Sequence, residues 1–371
     1  MIKLSSKERL TRLFNCQEID RVPIWLLFPY HRLGCYTDVY NNPVYKPLLP
    51  YIEEYCDTFD RRSYTYGDFC RNGNPEIIKR SLKEEINSVM TDVFEVSYKD
   101  LKFRRFVETT DQGKRNRYLL SEPEQLEQIL NIPYVPPSID FSKYRQEKDE
   151  LGDKGLMMMD LGDPLVALYF LMSAEDFSIW TITDYDRILA FTDEMYHRFY
   201  DVYKRYLDDN VGDVFFICGA EFAGPPMAAP SKFNELSARY VKGIVDLIRN
   251  YGKHSIIHYH GNLYHVLDGM KDVNPDGLHT IEAPPIGDCT ITQARAKLND
   301  MILIGNIQYD DLRRLPSGEI EEMVRLAVQE GKTGRFILSP TAGPYEDEIP
   351  ELMINNYITM IEAGIKYGGL S

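Results

Sequence analysis

From Gly155 onward the chain alternates short apolar runs with helical stretches, and this pattern limits the possible folds most strongly. The runs are Leu156–Met159, Val214–Cys218, Ser255–Tyr259, Gly277–Ile281, Met301–Gly305 and Phe336–Ser339. Helical segments such as Asp186–Asp208, Lys232–Asn250 and Gly318–Glu330 lie between them. Apolar runs of strand length with helices between them demand a parallel sheet covered by helices. No G-x-G-x-x-G opens any of the helices, which disfavours an open dinucleotide-binding sheet. The expected fold class is therefore α/β, a closed (β/α)8 barrel of the TIM type, with residues 1–371 forming one domain.

The first half of the chain reads differently. Residues 5–15 predict a helix capped by Ser5 or Ser6, and Val22–Phe28 reads as a buried strand ended by Pro29. Pro43 to Phe59 predicts a helix. Over 61–120, the stretches beginning at Val89, Lys102 and Arg115 read as short strands, with a hairpin signal at Asp111-Gln112-Gly113. This β-rich stretch is expected to be an antiparallel insertion on the rim of the barrel. A charged helix and a proline-containing connection follow over 122–150.

Charge and cysteine usage narrow the function. The net charge is −15 and no basic run appears, so nucleic acid and anionic membrane surfaces are poor partners. Six scattered cysteines without a C-x-x-C pair read as reduced thiols. The N-terminal residues lack the apolar stretch of a signal peptide, and no apolar run reaches the ~18 residues of a membrane span. A cytoplasmic enzyme with a small-molecule substrate is expected.

In such a barrel, functional side chains sit where the strands end. One run ends His258-Tyr259-His260-Gly261. Strand alternation puts His258 and His260 on one face, where both imidazoles can reach one metal ion; the alternative is a hydrogen-bonded pair of core histidines. Glu221 follows the run ending at Cys218, and Glu282 ends the run from Gly277, each before prolines. They are candidate metal ligands or general bases, or else capping or salt-bridged residues. Cys218 reads as a small buried hydrophobe. His279 has the opposite parity to Glu282 and is expected to face the helices.

Asn306 and Gln308 end another run and can orient a substrate through amide hydrogen bonds. Tyr30, His31 and Arg32 near the first strand end, Asp160 with Asp163, and Thr341 after the last run complete the expected substrate-binding set. Arg32 could hold a carboxylate in two hydrogen bonds. No P-loop, G-x-S-x-G or H-E-x-x-H is present. Two histidines with Glu221 form a recurrent zinc set with an open position, and iron suits it too.

Several segments taken together resemble the uroporphyrinogen decarboxylase superfamily. Lys7-Glu8-Arg9-Leu10 with Asp20-Arg21-Val22-Pro23-Ile24 looks like its N-terminal signature, and Gly305-Asn306-Ile307 like one of its strand ends. The resemblance implies a (β/α)8 barrel, often paired as a homodimer. True decarboxylases carry an arginine-rich segment after the first strand. Here Leu27-Phe28-Pro29-Tyr30-His31-Arg32 retains only Arg32, and Ser339-Pro340-Thr341-Ala342 replaces their late histidine motif.

The cobalamin-dependent methyltransferase branch binds zinc through H-x-C-G and a late cysteine. His258-Tyr259-His260-Gly261 keeps that spacing with His in place of Cys, and Pro340-Thr341-Ala342-Gly343 carries no Cys. The resemblance thus implies a metal-dependent methyltransferase using a corrinoid on a partner protein, or a thiol. Zinc held by imidazoles and a carboxylate would be a stronger Lewis acid than zinc held by thiolates. The alternatives are a decarboxylase or lyase acting on a carboxylated small molecule, and a non-catalytic ligand-binding barrel.

Overall fold

A computed structural model describes residues 3–65, 69–86, 88–110 and 113–370, with side chains described at all of these except 109, 110 and 113–116. Among them, seven strands form one curled parallel sheet in the order β1-β6-β7-β8-β9-β10-β11. These are β1 Thr58–Arg62, β6 Gly155–Asp160, β7 Val214–Cys218, β8 His254–His258, β9 Gly277–His279, β10 Ile302–Ile307 and β11 Phe336–Pro340. Four more, β2 Ile78–Ile86, β3 Val89–Tyr98, β4 Leu101–Thr110 and β5 Gly113–Arg117, form a separate antiparallel sheet. The expected hairpin residues Asp111 and Gln112 lie outside the described residues.

Period-two alternation divides each parallel strand between two apolar clusters. Phe59, Leu156, Met158, Val214, Phe216, Ile256, Ile302, Ile304 and Ile337 point to the concave side of the sheet. Helix Ser6–Phe14 closes that cluster with Leu10, Leu13 and Phe14. Ser5 starts this helix by accepting a hydrogen bond from the Glu8 N–H. Met157, Met159, Phe215, Ile217, Leu278, Leu303 and Leu338 have the other parity and pack under the helices. Burial on both faces explains why these strands read as continuous apolar runs.

Two sequence expectations are corrected here. Val22–Phe28 does not form a strand; its ladder contact is a single parallel bridge between Ile24 and Leu338. Pro23 has no N–H to give, and Leu27 takes a positive φ of 64°, which ends extended structure. The segment still links the two edges of the sheet: Trp25 N–H donates to Leu338 O at 2.9 Å, and Asp57 N–H donates to Ile24 O at 2.6 Å. The helix expected through Phe59 stops at Tyr55, and Thr58–Arg62 is β1, paired with β6. Its sequence, Thr-Phe-Asp-Arg-Arg, hides a strand because both faces carry charges that only tertiary partners satisfy.

One such partnership fastens the N-terminus. Arg9 is 2% exposed and reaches Asp20 Oδ1 and Asp57 Oδ1, both at 2.6 Å, and Leu4 O at 2.8 Å. Asp57 Oδ2 accepts from Arg21 and from the Ile24 N–H, each at 3.0 Å. The Lys7–Leu10 and Asp20–Ile24 signatures therefore hold the first helix and residues 20–24 against the edge of β1. No helix of the described residues is long and apolar enough to cross a membrane.

Candidate active site

The last inward-facing residues of β1, β6, β7 and β8 meet at one cavity of about 680 Å³. Arg61 from β1, Asp160 from β6, Cys218 from β7 and His258 from β8 supply its polar wall, with His260, Glu221 and Thr341 from the loops beyond. Phe216 and Leu27 lie at its base, and Phe94 and Leu119 reach it from the antiparallel sheet and its exit. The insertion thus stands over the mouth.

Arg61 and Asp160 form a two-pronged pair, with Nε and Nη2 at 2.9 and 2.6 Å from Oδ2. Arg61 also donates to Tyr36 Oη at 2.7 Å, lies 3.7 Å from Cys218 Sγ, and has its guanidinium 5.0 Å from the Phe216 ring centre. Burial pushes the Cys218 thiol well above its ordinary range. It remains a thiol rather than a thiolate.

Across the cavity, Glu282 is held ionised. Burial works to raise its pKa, but the charge and hydrogen bond of His260 (Nδ1 to Oε1, 3.2 Å), the Gly261 N–H (2.6 Å) and Gln308 outweigh it. Gln308 also accepts from Thr341 Oγ1 at 2.7 Å. His260 shows the complementary shift: burial disfavours its charge, Glu282 and then Glu221 favour it more, and the net direction is up. Glu221 goes the other way from Glu282. Burial raises its pKa, and the nearby Glu282 charge adds to the rise. Its Oε2 accepts the Gly219 N–H at 3.2 Å.

His258 and His279 meet edge to edge, Nδ1 to Nδ1 at 2.7 Å, with ring planes 17° apart. His279 does not face the helices, as its parity against Glu282 implied. It is fully buried on the concave side beside Trp25 and Phe216. β9 ends at His279, so alternation cannot be counted through to Glu282. Counting forward from Gly277, by analogy with Ile302 and Ile304 next door, gives the right face.

The structure brings Glu221, Glu282, His258, His260, Asp160, Thr341 and Gln308 together. Asn306 lies on β10 with the inward parity of Ile302 and Ile304. Tyr30, His31 and Arg32 stand apart. His31 is drawn outward by Asp60, which has the outward parity on β1, through both its N–H and Nδ1 (2.9 and 2.7 Å), and by Glu150. Tyr30 lines a second cavity with His31, and Arg32 is exposed. Arg61 and His279 are the functional candidates that sequence reading missed. Arg61 sat just past the helix expected through Phe59, at the start of the β-rich stretch from 61, in a strand that was not recognised.

Zinc was expected on His258, His260 and Glu221. Among the described residues, no three His, Cys, Asp or Glu side chains are placed to hold a metal ion. His258 Nδ1 bonds His279 and His260 Nδ1 bonds Glu282, which leaves Nε2 of each ring as the donor a metal would use, while burial raises the pKa of Glu221. Metal ligands must be deprotonated.

Asp163 supports this site from behind. It caps helix Pro164–Tyr169 by accepting the Val166 N–H at 2.8 Å, and Ser237 Oγ lies 3.3 Å from it. Full burial, with Glu221 adding to it, pushes its carboxyl up to about 7. A raised folded-state pKa gives stability that is complete below the ordinary aspartate range and is lost as pH rises through about 7. Asp163→Asn keeps a capping oxygen and is expected to flatten this dependence. Urea unfolding at about pH 4 and about pH 8 measures it, and an unchanged slope in the variant would refute the assignment.

The model of the family described as uroporphyrinogen decarboxylase (URO-D) matches residues 118–364. No curated protein matches. Among solved structures, a methyltransferase from Methanosarcina mazei is similar over 97% of this chain and 98% of its own, with a TM-score of 0.61 at 14% identity. A D-psicose 3-epimerase from Clostridium cellulolyticum H10 is similar over 62% of this chain and 94% of its own, with a TM-score of 0.32 at 13% identity. The family match spans the strand–helix units from β6 to β11 and their shared cavity, and the chain belongs to the uroporphyrinogen decarboxylase (URO-D) family.

Proposed function

We propose that this chain is a methyltransferase of that family, moving a methyl group from a small molecule in the cavity to an external acceptor. The acceptor is a corrinoid on a separate protein, or a thiol. One observation carries the reading: a Glu221 carboxyl whose pKa burial raises, beside the His260–Glu282 pair, in a cavity walled by aromatic rings. Two neighbouring carboxyl groups pushed apart in pKa divide into a proton donor and a fixed charge. The fold shared with the methanogen methyltransferase supports the same reading.

The chemistry then follows from the residues. When methyl leaves an ether oxygen or an amine nitrogen, that atom keeps the bonding pair. Glu221 donates its proton there, which removes the need to release an anion, and the acceptor supplies the pair for the new bond to carbon. Glu221 is left as a carboxylate and takes a proton back from water. The charge on His260 favours that carboxylate as it forms, while Gln308, Thr341 and Gly261 hold Glu282 in place. Pro23–Trp25, bonded to both β11 and the residue before β1, serves as the eighth stave of a closed barrel.

A second reading rests on Arg61. A buried guanidinium on the cavity wall suits a carboxylated substrate, and His258 or His260 could hand a proton to the carbanion left by lost carbon dioxide.

The test incubates the full chain with methyl ethers, methylamines and methylated acids together with reduced cobalamin. Corrinoid methylation is followed by absorbance, and released carbon dioxide is followed in parallel. Methyl transfer that persists in chelator is expected. Transfer lost in chelator and restored by zinc would show that the donors regroup around a metal. Carbon dioxide release without methyl transfer would establish the second reading, and neither product would overturn both.

A further inference from the structure

The histidine pair at the base of the cavity has a definite proton arrangement. His279 Nε2 lies 3.1 Å from the main-chain oxygen of Pro340. A carbonyl oxygen only accepts, so Nε2 carries a hydrogen. Both rings are neutral. His279 is fully buried, and the hydrogen bonds of the pair go to each other and to a main-chain oxygen rather than to a carboxylate that would hold a positive charge.

A neutral imidazole has one N–H. With the hydrogen of His279 on Nε2, its Nδ1 is a bare acceptor. The 2.7 Å contact between the two Nδ1 atoms then requires the hydrogen on His258 Nδ1. The nearly coplanar rings suit an in-plane N–H···N bond. His258 lines the cavity, and its Nδ1 edge is turned to His279, so the opposite edge carries an unprotonated nitrogen.

We infer that His279 is a positioning residue that fixes His258 as the Nδ1–H tautomer. His258 Nε2 thereby presents a lone pair to the cavity and accepts a hydrogen bond from an N–H, O–H or S–H group of the bound molecule. The relay runs from Pro340 O at the end of β11 through His279 on β9 to His258 on β8, so three strands set one lone pair. The tautomer is independent of the reaction. Its use on a methyl donor or acceptor rests on the methyltransferase reading.

Nitrogen NMR of the full chain labelled in histidine reads the tautomer directly. His258→Gln identifies the signals, and His258 is expected with its hydrogen on Nδ1. Finding it on Nε2 in the wild-type protein overturns the inference without any variant of His279. His279→Leu removes the acceptor and should release His258 into a tautomer mixture, with kcat at least tenfold lower and KM nearly constant. His279→Gln offers a carbonyl to His258 and an amide hydrogen to Pro340 O, and should recover most of the loss. Thermal unfolding of both variants separates a folding defect from a tautomer change. A wild-type kcat for His279→Leu, in folded protein, would overturn the positioning role. The expected tautomer in a protein that transfers no methyl group would leave this inference standing and refute the functional reading.

Discussion

Replacing Glu221 by glutamine is expected to slow methyl transfer by about a hundred- to ten-thousand-fold, the usual contribution of one positioned acid. Glutamine keeps the shape of the side chain and an oxygen for the Gly219 N–H, so KM should change little. The pH profile gives the sharper evidence. An acid works only while protonated, and burial raises the Glu221 pKa above the ordinary carboxylate range. Wild-type activity should therefore fall as pH rises through that raised value, because the proton to be donated is lost. The limb should vanish in Glu221→Gln. A variant that kept both the rate and the limb would place the proton donor elsewhere, with His260 the next residue to change.

The second large effect is on stability. Asp57→Ala is expected to cost about 3–5 kcal/mol, the range for breaking a buried ion pair from one side. Asp57 is fully buried at its side chain, and its two oxygens meet Arg9, Arg21 and the Ile24 N–H. Removing it leaves the Arg9 guanidinium buried with Asp20 as its remaining carboxylate. It also frees the segment that joins the two sheet edges. Urea denaturation measures the loss. The double variant Arg9→Met/Asp57→Leu should lose less than Asp57→Ala, since no buried charge is stranded. A single-variant loss below about 1 kcal/mol would mean that the network does not anchor the N-terminus.

The parallel units from β6 to β11 could be read in the sequence because each strand is buried on both faces. Double burial writes an apolar run that needs no knowledge of neighbours. Glu221, Glu282, His258, His260 and Asp160 could be named because a polar residue that ends such a run has few places to go. β1 could not be read in this way. Its Asp60, Arg61 and Arg62 are charges that a strand tolerates only when His31, Asp160 and Glu147 stand opposite, and those lie 29, 99 and 85 residues away along the chain. Residues 22–28 misled in the other direction. They are apolar and buried, yet Pro23 and the turn at Leu27 limit them to one bridge.

By itself, the sequence determined the α/β class, the order of strand and helix, and the polar residues that end the strands. Those follow from periodicity and burial, which are local. Only the tertiary structure decided what those residues do. The same carboxyl chemistry is pushed toward an acid at Glu221 and toward a fixed anion at Glu282, because burial prevails at the first while His260, Gly261 and Gln308 together outweigh it at the second. The two histidines expected to share a metal each bond a separate partner through Nδ1, one His279 and the other Glu282. Proton affinity and donor direction depend on neighbours brought in from other strands, and no local pattern along the chain encodes those neighbours.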